Sequence, residues 1–409
     1  MMPSAEAGPA VGLSPAPQSS LRRHDIDWLR VILFGILIWY HYQYFSPPYH
    51  AVLDSTPLRL FLDIVHQWRL AALFAISGMG TAFAFKRRTW RAYLKERAAR
   101  LLVPLLFATY ILLGLTRLLH PIETTRRALA IFPAADVSPF GHLWFLYNLL
   151  IYSLALTPLF VYVRRKPDGR FVGFIRELLN ARYGAGVMLL PPLLLALAGI
   201  LTKPWRAGTL GMWWEFAWYF LFFGFGYLLL VGKEEYFSLL DRLRMPVTIL
   251  TPILAIAYYA SREWLGPPDV MTGGWFLAGY PAFSLAATLA TLVQAFHAWF
   301  WCLFLFSWAA KLLNRPSGAL TYLNRAIYPV YIVHLQFVQL VVLLIGEEAI
   351  NPFINSLFLG PLLVAPGCLV IFEIVKRARF ARLVFGIKPL PRPNPGGLEQ
   401  GTPIGHSIL

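Results

Sequence analysis

The chain has 409 residues, 58% of them apolar or aromatic and only 14% charged. Soluble domains carry about 25% charged residues, so this composition excludes an ordinary water-facing surface and points to a membrane. The formal charge of +16 would suggest nucleic acid in a soluble protein, but the placement of that charge excludes it here. Apolar runs recur from Trp28 to Val375, each long enough for a crossing of about 20 residues.

In chain order the runs predict ten membrane helices, at 28–46, 69–85, 101–119, 142–163, 184–202, 213–232, 246–261, 286–310, 326–345 and 357–375. The fold class is therefore an all-α polytopic bundle. Residues 1–21 and 389–409, rich in Pro and small residues, are expected to be disordered and cytoplasmic, which leaves 22–388 as the membrane domain. No apolar signal segment precedes the first span, so that span itself is expected to direct insertion. Residues 58–68 (LRLFLDIVHQW) alternate apolar and polar at helical spacing, which predicts a helix lying at the outer interface. The external segments 120–141 and 262–285 are candidates to cover a site. The stretch 275–313 reads as one tilted span, with two shorter spans as the alternative. No internal repeat supports the inverted symmetry common in transporters.

An even number of spans puts both termini on one side. With that side in the cytoplasm, 27 of the 36 lysines and arginines fall in internal segments, 8 fall outside, and Arg30 lies within the first span. Such asymmetry is the positive-inside pattern, so the basicity reports orientation rather than a nucleic-acid partner. Cys302 and Cys368 both sit in apolar stretches and give neither a disulfide framework nor a metal-ligand spacing.

Polar residues inside spans are costly and are candidates for function by default. Arg30 and His41 are eleven helical steps apart, which returns them to one face with a rise of about 16 Å. Arg30 then lies near the cytoplasmic edge and His41 past the membrane middle, while Asp27 is spaced to brace the guanidinium. A snorkelling arginine and a histidine bonded to a neighbouring helix explain this pattern as well as chemistry does. An imidazole is nevertheless the side chain best suited to take a hydroxyl proton near neutral pH.

His142 opens the fourth span, where an aromatic-belt role and a functional role stand side by side. His334 lies mid-span in the ninth beside Gln336 and Gln339, where helix-to-helix hydrogen bonding is a sufficient account. Packing is the leading reading for Glu215, Glu373 and His297. Signatures of other chemistries are missing: Ser77 lacks a nucleophile elbow, Gly232-Lys233 lacks a phosphate loop, and no metal-binding pattern occurs.

Four blocks add specificity. They are DIDWLRVILFGILIWYHYQYF, LFAISGMGTAFAF leading into YLKERAARLLVPLLF, GHLWFLYNLLIYS, and LNRAIYPVYIVHLQF. In that order, over about residues 22–375, the chain resembles the acyltransferase 3 family of membrane acyltransferases, closest to members of the periplasmic glucan succinyltransferase group. The resemblance implies an O-acyltransferase of a bacterial inner membrane. Its co-substrate would be acyl-CoA, its acceptor a hydroxyl of an envelope carbohydrate, and it would hold no bound cofactor.

By the same resemblance His41 is the essential histidine and Arg30 its paired arginine. Arg97 and Arg100 match a basic pair suited to the phosphates of acyl-CoA, with a plain positive-inside loop as the alternative. As an acyl-transfer mechanism, His41 would be the general base and His334 or a backbone N–H would stabilise the oxyanion. Two readings of other classes remain at this stage: a transporter or flippase using these polar residues as a path, and a scaffold for glycan assembly. Acetyl and succinyl stand equal as the acyl group, and the oligomeric state is open.

Overall fold

The computed structural model describes residues 23–45, 56–114, 140–203, 213–265, 283–345 and 354–387. The terminal segments 1–21 and 389–409 and most of 120–141 and 262–285 lie outside the described residues. The described chain is helical, the form in which an apolar segment satisfies its own backbone groups in lipid.

Helices α1 (His24–Phe45) and α2 (Thr56–Arg87) are followed by a short α3 (Trp90–Arg97). The chain then winds on through a π-helical turn at Ala98–Leu102, helix α4 (Val103–Phe107) and a second π-helical turn at Ala108–Leu112. Beyond the first gap come α5 (Trp144–Arg165), an amphipathic α6 (Arg170–Asn180) and α7 (Ala185–Thr202). The remainder comprises α8 (Trp213–Leu229), α9 (Lys233–Leu265), α10 (Leu285–Leu312), α11 (Gly318–Ile345), α12 (Gly360–Val375) and α13 (Arg379–Val384).

Among the described residues seven helices are long and apolar enough to cross a membrane, those within α2, α5, α7, α9, α10, α11 and α12. The described parts of the other three expected spans are chiefly helical as well. Helix α1 has 22 residues but carries Arg30, His41 and Gln43, while α8 has 17 residues. The described part of 101–119, residues 101–114, is wound partly in wide π turns around Pro104. Helix α10 is unbroken, so its part of 275–313 forms one helix rather than two.

The interfacial helix expected at 58–68 is not a separate element. It forms the opening turns of the 32-residue α2, with Leu62, Val65 and Trp68 buried. Pro57 near the helix start suits its first turn, and no further helix breaker occurs until Gly78.

Side-chain contacts fix the helix directions. Phe74 stacks on Tyr219 at 4.7 Å, and Lys233 approaches the Phe83 ring at 5.8 Å, so α2 and α8 run parallel. Phe145 meets Phe74 at 4.6 Å, and Arg164 Nη1 donates to Phe85 O at 3.2 Å, which aligns α5 with α2. Helices α9 and α10 are antiparallel, with Tyr258 stacked on His297 at 4.5 Å and Trp308 Nε1 donating to Thr248 Oγ1 at 2.9 Å. Helix α1 runs parallel to α11, since Trp28 meets Arg315 at one end and His41 meets His334 towards the other. One end of the bundle thus gathers Arg23, Arg30, Arg97, Arg100, Arg164, Arg244 and Lys376. It is called the basic end below, and the opposite one the far end. Large apolar side chains such as Tyr110, Ile256, Leu362 and Ile374 face outward, as lipid contact requires.

The contact of α2 with α8 is backbone to backbone. A Cβ added at Gly78 would overlap the Phe223 carbonyl, and one at Gly226 would overlap that of Ala75. Small residues at a helix crossing permit this approach, which gives the SGMG block a packing role. Gly226→Ala is therefore expected to destabilise the bundle by about 1–3 kcal/mol through overpacking. Thermal unfolding in detergent tests this, and an unchanged midpoint would contradict the close crossing.

Candidate active site

His41 is placed by α1 against the middle of α11. Its Nδ1 lies 2.8 Å from His334 Nε2, and the rings stack at 5.0 Å with an interplanar angle of 17°. The other nitrogen of His334, Nδ1, lies 2.6 Å from Tyr331 O. A carbonyl only accepts, so His334 Nδ1 carries the proton and donates it to Tyr331 O. In the neutral ring Nε2 is then the acceptor, and His41 Nδ1–H must donate to it. The chain of bonds leaves the lone pair of His41 on Nε2. Tyr331 O, His334 and His41 thus form a relay that fixes the tautomer and aim of one imidazole, as the carboxylate does in a catalytic triad.

His334 is fully buried, and both of its nitrogens are engaged in this relay. The geometry therefore gives it the role of orienting His41 rather than that of an oxyanion donor. His142, at the start of α5, stands edge-on to His334 with ring centres 5.0 Å apart. Its Nε2 lies 3.3 Å from Ile332 O and donates to it, while its buried Nδ1 has no hydrogen-bond partner among the described residues. Tyr331 reaches back to donate to His142 O. Two sequence candidates on different helices, His142 and His334, are thus brought to His41.

Beside the three histidines is a cavity of about 30 Å³ lined by Phe34, Leu37, His41, Leu70, Leu73, His142, Trp144, Phe145 and Tyr331. That space holds about one water molecule. An acyl group enters only if the walls part. Towards the basic end, Phe34 packs edge-on against Tyr331 at 5.6 Å and against Phe145 at 6.4 Å. These aromatic rings lie between His41 and Arg30.

Arg30 also faces α11, as the eleven-residue spacing anticipated, but it does not meet His41. Its Nη1 donates to Asn324 Oδ1 at 3.2 Å and lies 3.5 Å from Asp27 Oδ1. Asp27 is fully buried, so this is an interior ion pair and not a snorkelling cation.

Arg97 and Arg100 lie near Arg30 at the same end. Arg97 is buried, and its Nη2 donates to Thr81 Oγ1 at 2.6 Å and its Nε to Tyr93 OH at 3.2 Å. Arg100 lies 3.7 Å from Glu96, and its buried Nε has no hydrogen-bond partner. Burial lowers the Arg100 guanidinium to about 10; Tyr328 opposes that shift, and the nearby Arg97, Arg30 and Arg88 add to it. Arg91 and Lys95 of the same basic run are exposed. The inward turn of Arg97 and Arg100 separates them from a solvated loop.

The remaining intramembrane polar residues stay apart from the relay. His297 stacks on Tyr258, and Glu373 accepts from Tyr322 and Lys376 near the basic end. Sequence reasoning missed a further group at the far end. Arg69 lies over the Tyr40 ring at 3.7 Å, and Tyr40 OH pairs with His66 Nδ1 at 3.0 Å. The signal was the His66–Arg69 spacing on one helical face, hidden because 58–68 read as an interface helix.

An all-helical bundle with an apolar exterior and a half-buried, tautomer-locked histidine defines a multi-pass membrane protein equipped for proton transfer. Comparison with protein families is consistent with this and more specific: the model of the acyltransferase 3 family, an acyltransferase domain, matches residues 23–373. The chain belongs to that family and is a membrane acyltransferase. Comparison with curated proteins and with solved structures finds no match.

Proposed function

We propose that this protein transfers an acyl group from acyl-CoA to a hydroxyl of an envelope carbohydrate, with His41 as general base. The observation that carries the proposal is the relay from Tyr331 O through His334, which leaves the basic lone pair of His41 on Nε2. His41 Nε2 takes the hydroxyl proton as the oxygen attacks the thioester carbonyl. The tetrahedral oxyanion collapses and expels the CoA thiolate, which then takes the proton from His41.

The basic end faces the cytoplasm in this proposal, in keeping with the positive-inside rule. Ten crossings with both termini inside agree with the parallel and antiparallel pairs described above. The host membrane would be a bacterial inner membrane and the acceptor a glucan or similar glycan on the far side. Arg97 and Arg100, with Arg88 nearby, would hold the phosphates of the donor, and no cofactor need be bound. Arg30 would order the passage between that end and His41.

Arg100→Ala is expected to raise the KM for acyl-CoA by about tenfold with little change in kcat, as loss of one charge-assisted contact does. An equal fall in kcat and kcat/KM would move Arg100 from donor binding to the chemical step.

Release of thiol from acetyl-CoA or succinyl-CoA by protein in detergent, with a glucan acceptor, tests the proposal. A transporter needs a membrane with two sides, whereas a transferase does not. Turnover in detergent supports transfer. Donor consumption seen only in sealed vesicles would support transport instead.

A further inference from the structure

A permanent positive charge at the far end has no negative partner among the described residues. Arg69 is 2% exposed and among the largest fully buried side chains of the protein. Its Nε and Nη1 have no hydrogen-bond partner among the described residues. Among the described residues the groups that act on it electrostatically are two tyrosines, Tyr40 and Tyr219, and not a carboxylate. Tyr40 offers the guanidinium its ring face, a weak substitute for an anion.

Arginine stays ionised even when buried, so an uncompensated guanidinium at such depth is costly unless an anion joins it in a working state. Arg69 does not itself line the cavity beside His41, but it lies one helical turn from a residue that does. Leu73, four residues further along the same face of α2, lines the cavity beside His41, and so does Leu70. His41 and His334 both lie within its electrostatic reach.

On the acyl-transfer reading given above, we infer that Arg69 binds a carboxylate that one of the two substrates brings into the chamber beside His41. A carboxylate accepts from guanidinium N–H groups through short charge-assisted bonds, which a neutral amide or hydroxyl reproduces poorly. The carboxylate has two possible sources: the free end of a dicarboxylic acyl chain, or an acidic sugar of the acceptor.

The test uses the full chain in detergent, comparing wild type with Arg69→Met and Arg69→Lys. Met replaces an unpaired buried charge by an apolar chain of similar reach, so the bundle is expected to keep or gain thermal stability. Acetyl-CoA and succinyl-CoA are compared as donors, and glucose and glucuronate as competing acceptors. Wild type is expected to favour the charged member of one pair by about 10–100-fold, and Arg69→Met to erase that preference. Arg69→Lys is expected to retain part of it. A preference between the donors places the carboxylate on the acyl chain, and one between the sugars places it on the acceptor.

Indifference of wild type to charge on both substrates overturns the inference. An equal loss of charged and neutral turnover in Arg69→Met also overturns it, since that is the mark of a structural or oxyanion role. Binding is read separately from turnover through the thermal midpoint with succinate or glucuronate present. Stabilisation of wild type but not of Arg69→Met, without thioester cleavage, would keep the anion site and remove the acyl-transfer reading. Absence of any Arg69-dependent stabilisation and of any charge preference ends the inference outright.

Discussion

His41→Ala is expected to lower acyl transfer by about 10²–10⁴-fold, the range typical of a positioned general base. The loss should fall on kcat, because His41 lies away from the arginines proposed to hold the donor. The fold should survive. Helix α1 remains anchored by Trp28 on Arg315, by Arg30 on Asn324 and by Trp39 Nε1 donating to Leu357 O at 3.1 Å. Removing the imidazole leaves His334 Nε2 without its donor in a buried site, which costs about 1–3 kcal/mol. Thiol release and the thermal midpoint, measured on one preparation, separate these effects. Full activity of His41→Ala would end the mechanism.

His334→Leu is expected to lower kcat by about 10–100-fold, the size of effect seen when a partner that orients a reactive histidine is lost. Leucine fills the space but accepts no proton, so His41 is no longer held with its lone pair on Nε2. His334→Gln retains an oxygen acceptor at similar reach and is expected to lose less. A polar-to-apolar change at this buried position also relieves Tyr331 O of its partner, so the ordering of the two variants carries more weight than either value. Equal activity of His334→Leu and wild type would show that the 2.8 Å contact plays no part in turnover.

Much of the bundle was legible because lipid imposes a simple rule: apolar runs of sufficient length become helices. Charge placement marks one end of the bundle, and the structure gathers Arg23, Arg30, Arg97 and Arg164 there. That Arg30 and His41 share one helix face was readable from spacing alone, because both lie on one rigid element. Their partners were not. Asn324 and His334 belong to a helix nearly 300 residues later, and only packing shows that α1 and α11 run parallel side by side.

The role of His334 follows from Tyr331 O, a backbone atom on which no side-chain pattern reports. Arg69 escaped notice for a different reason. A cation after an amphipathic stretch reads as water-facing, yet α2 continues unbroken and carries it into the interior. The close crossing at Gly78 and Gly226 was visible only as a sequence block until the facing carbonyls gave it a cause.

The most direct measurement is the turnover of His41→Ala, His334→Leu and the double variant, compared with wild type using the same donor and acceptor. Two side chains that act as one unit lose their function together, so the double variant should be no slower than His41→Ala alone. If the two losses instead multiply, His334 acts independently of His41, and the relay is not the source of the basic nitrogen.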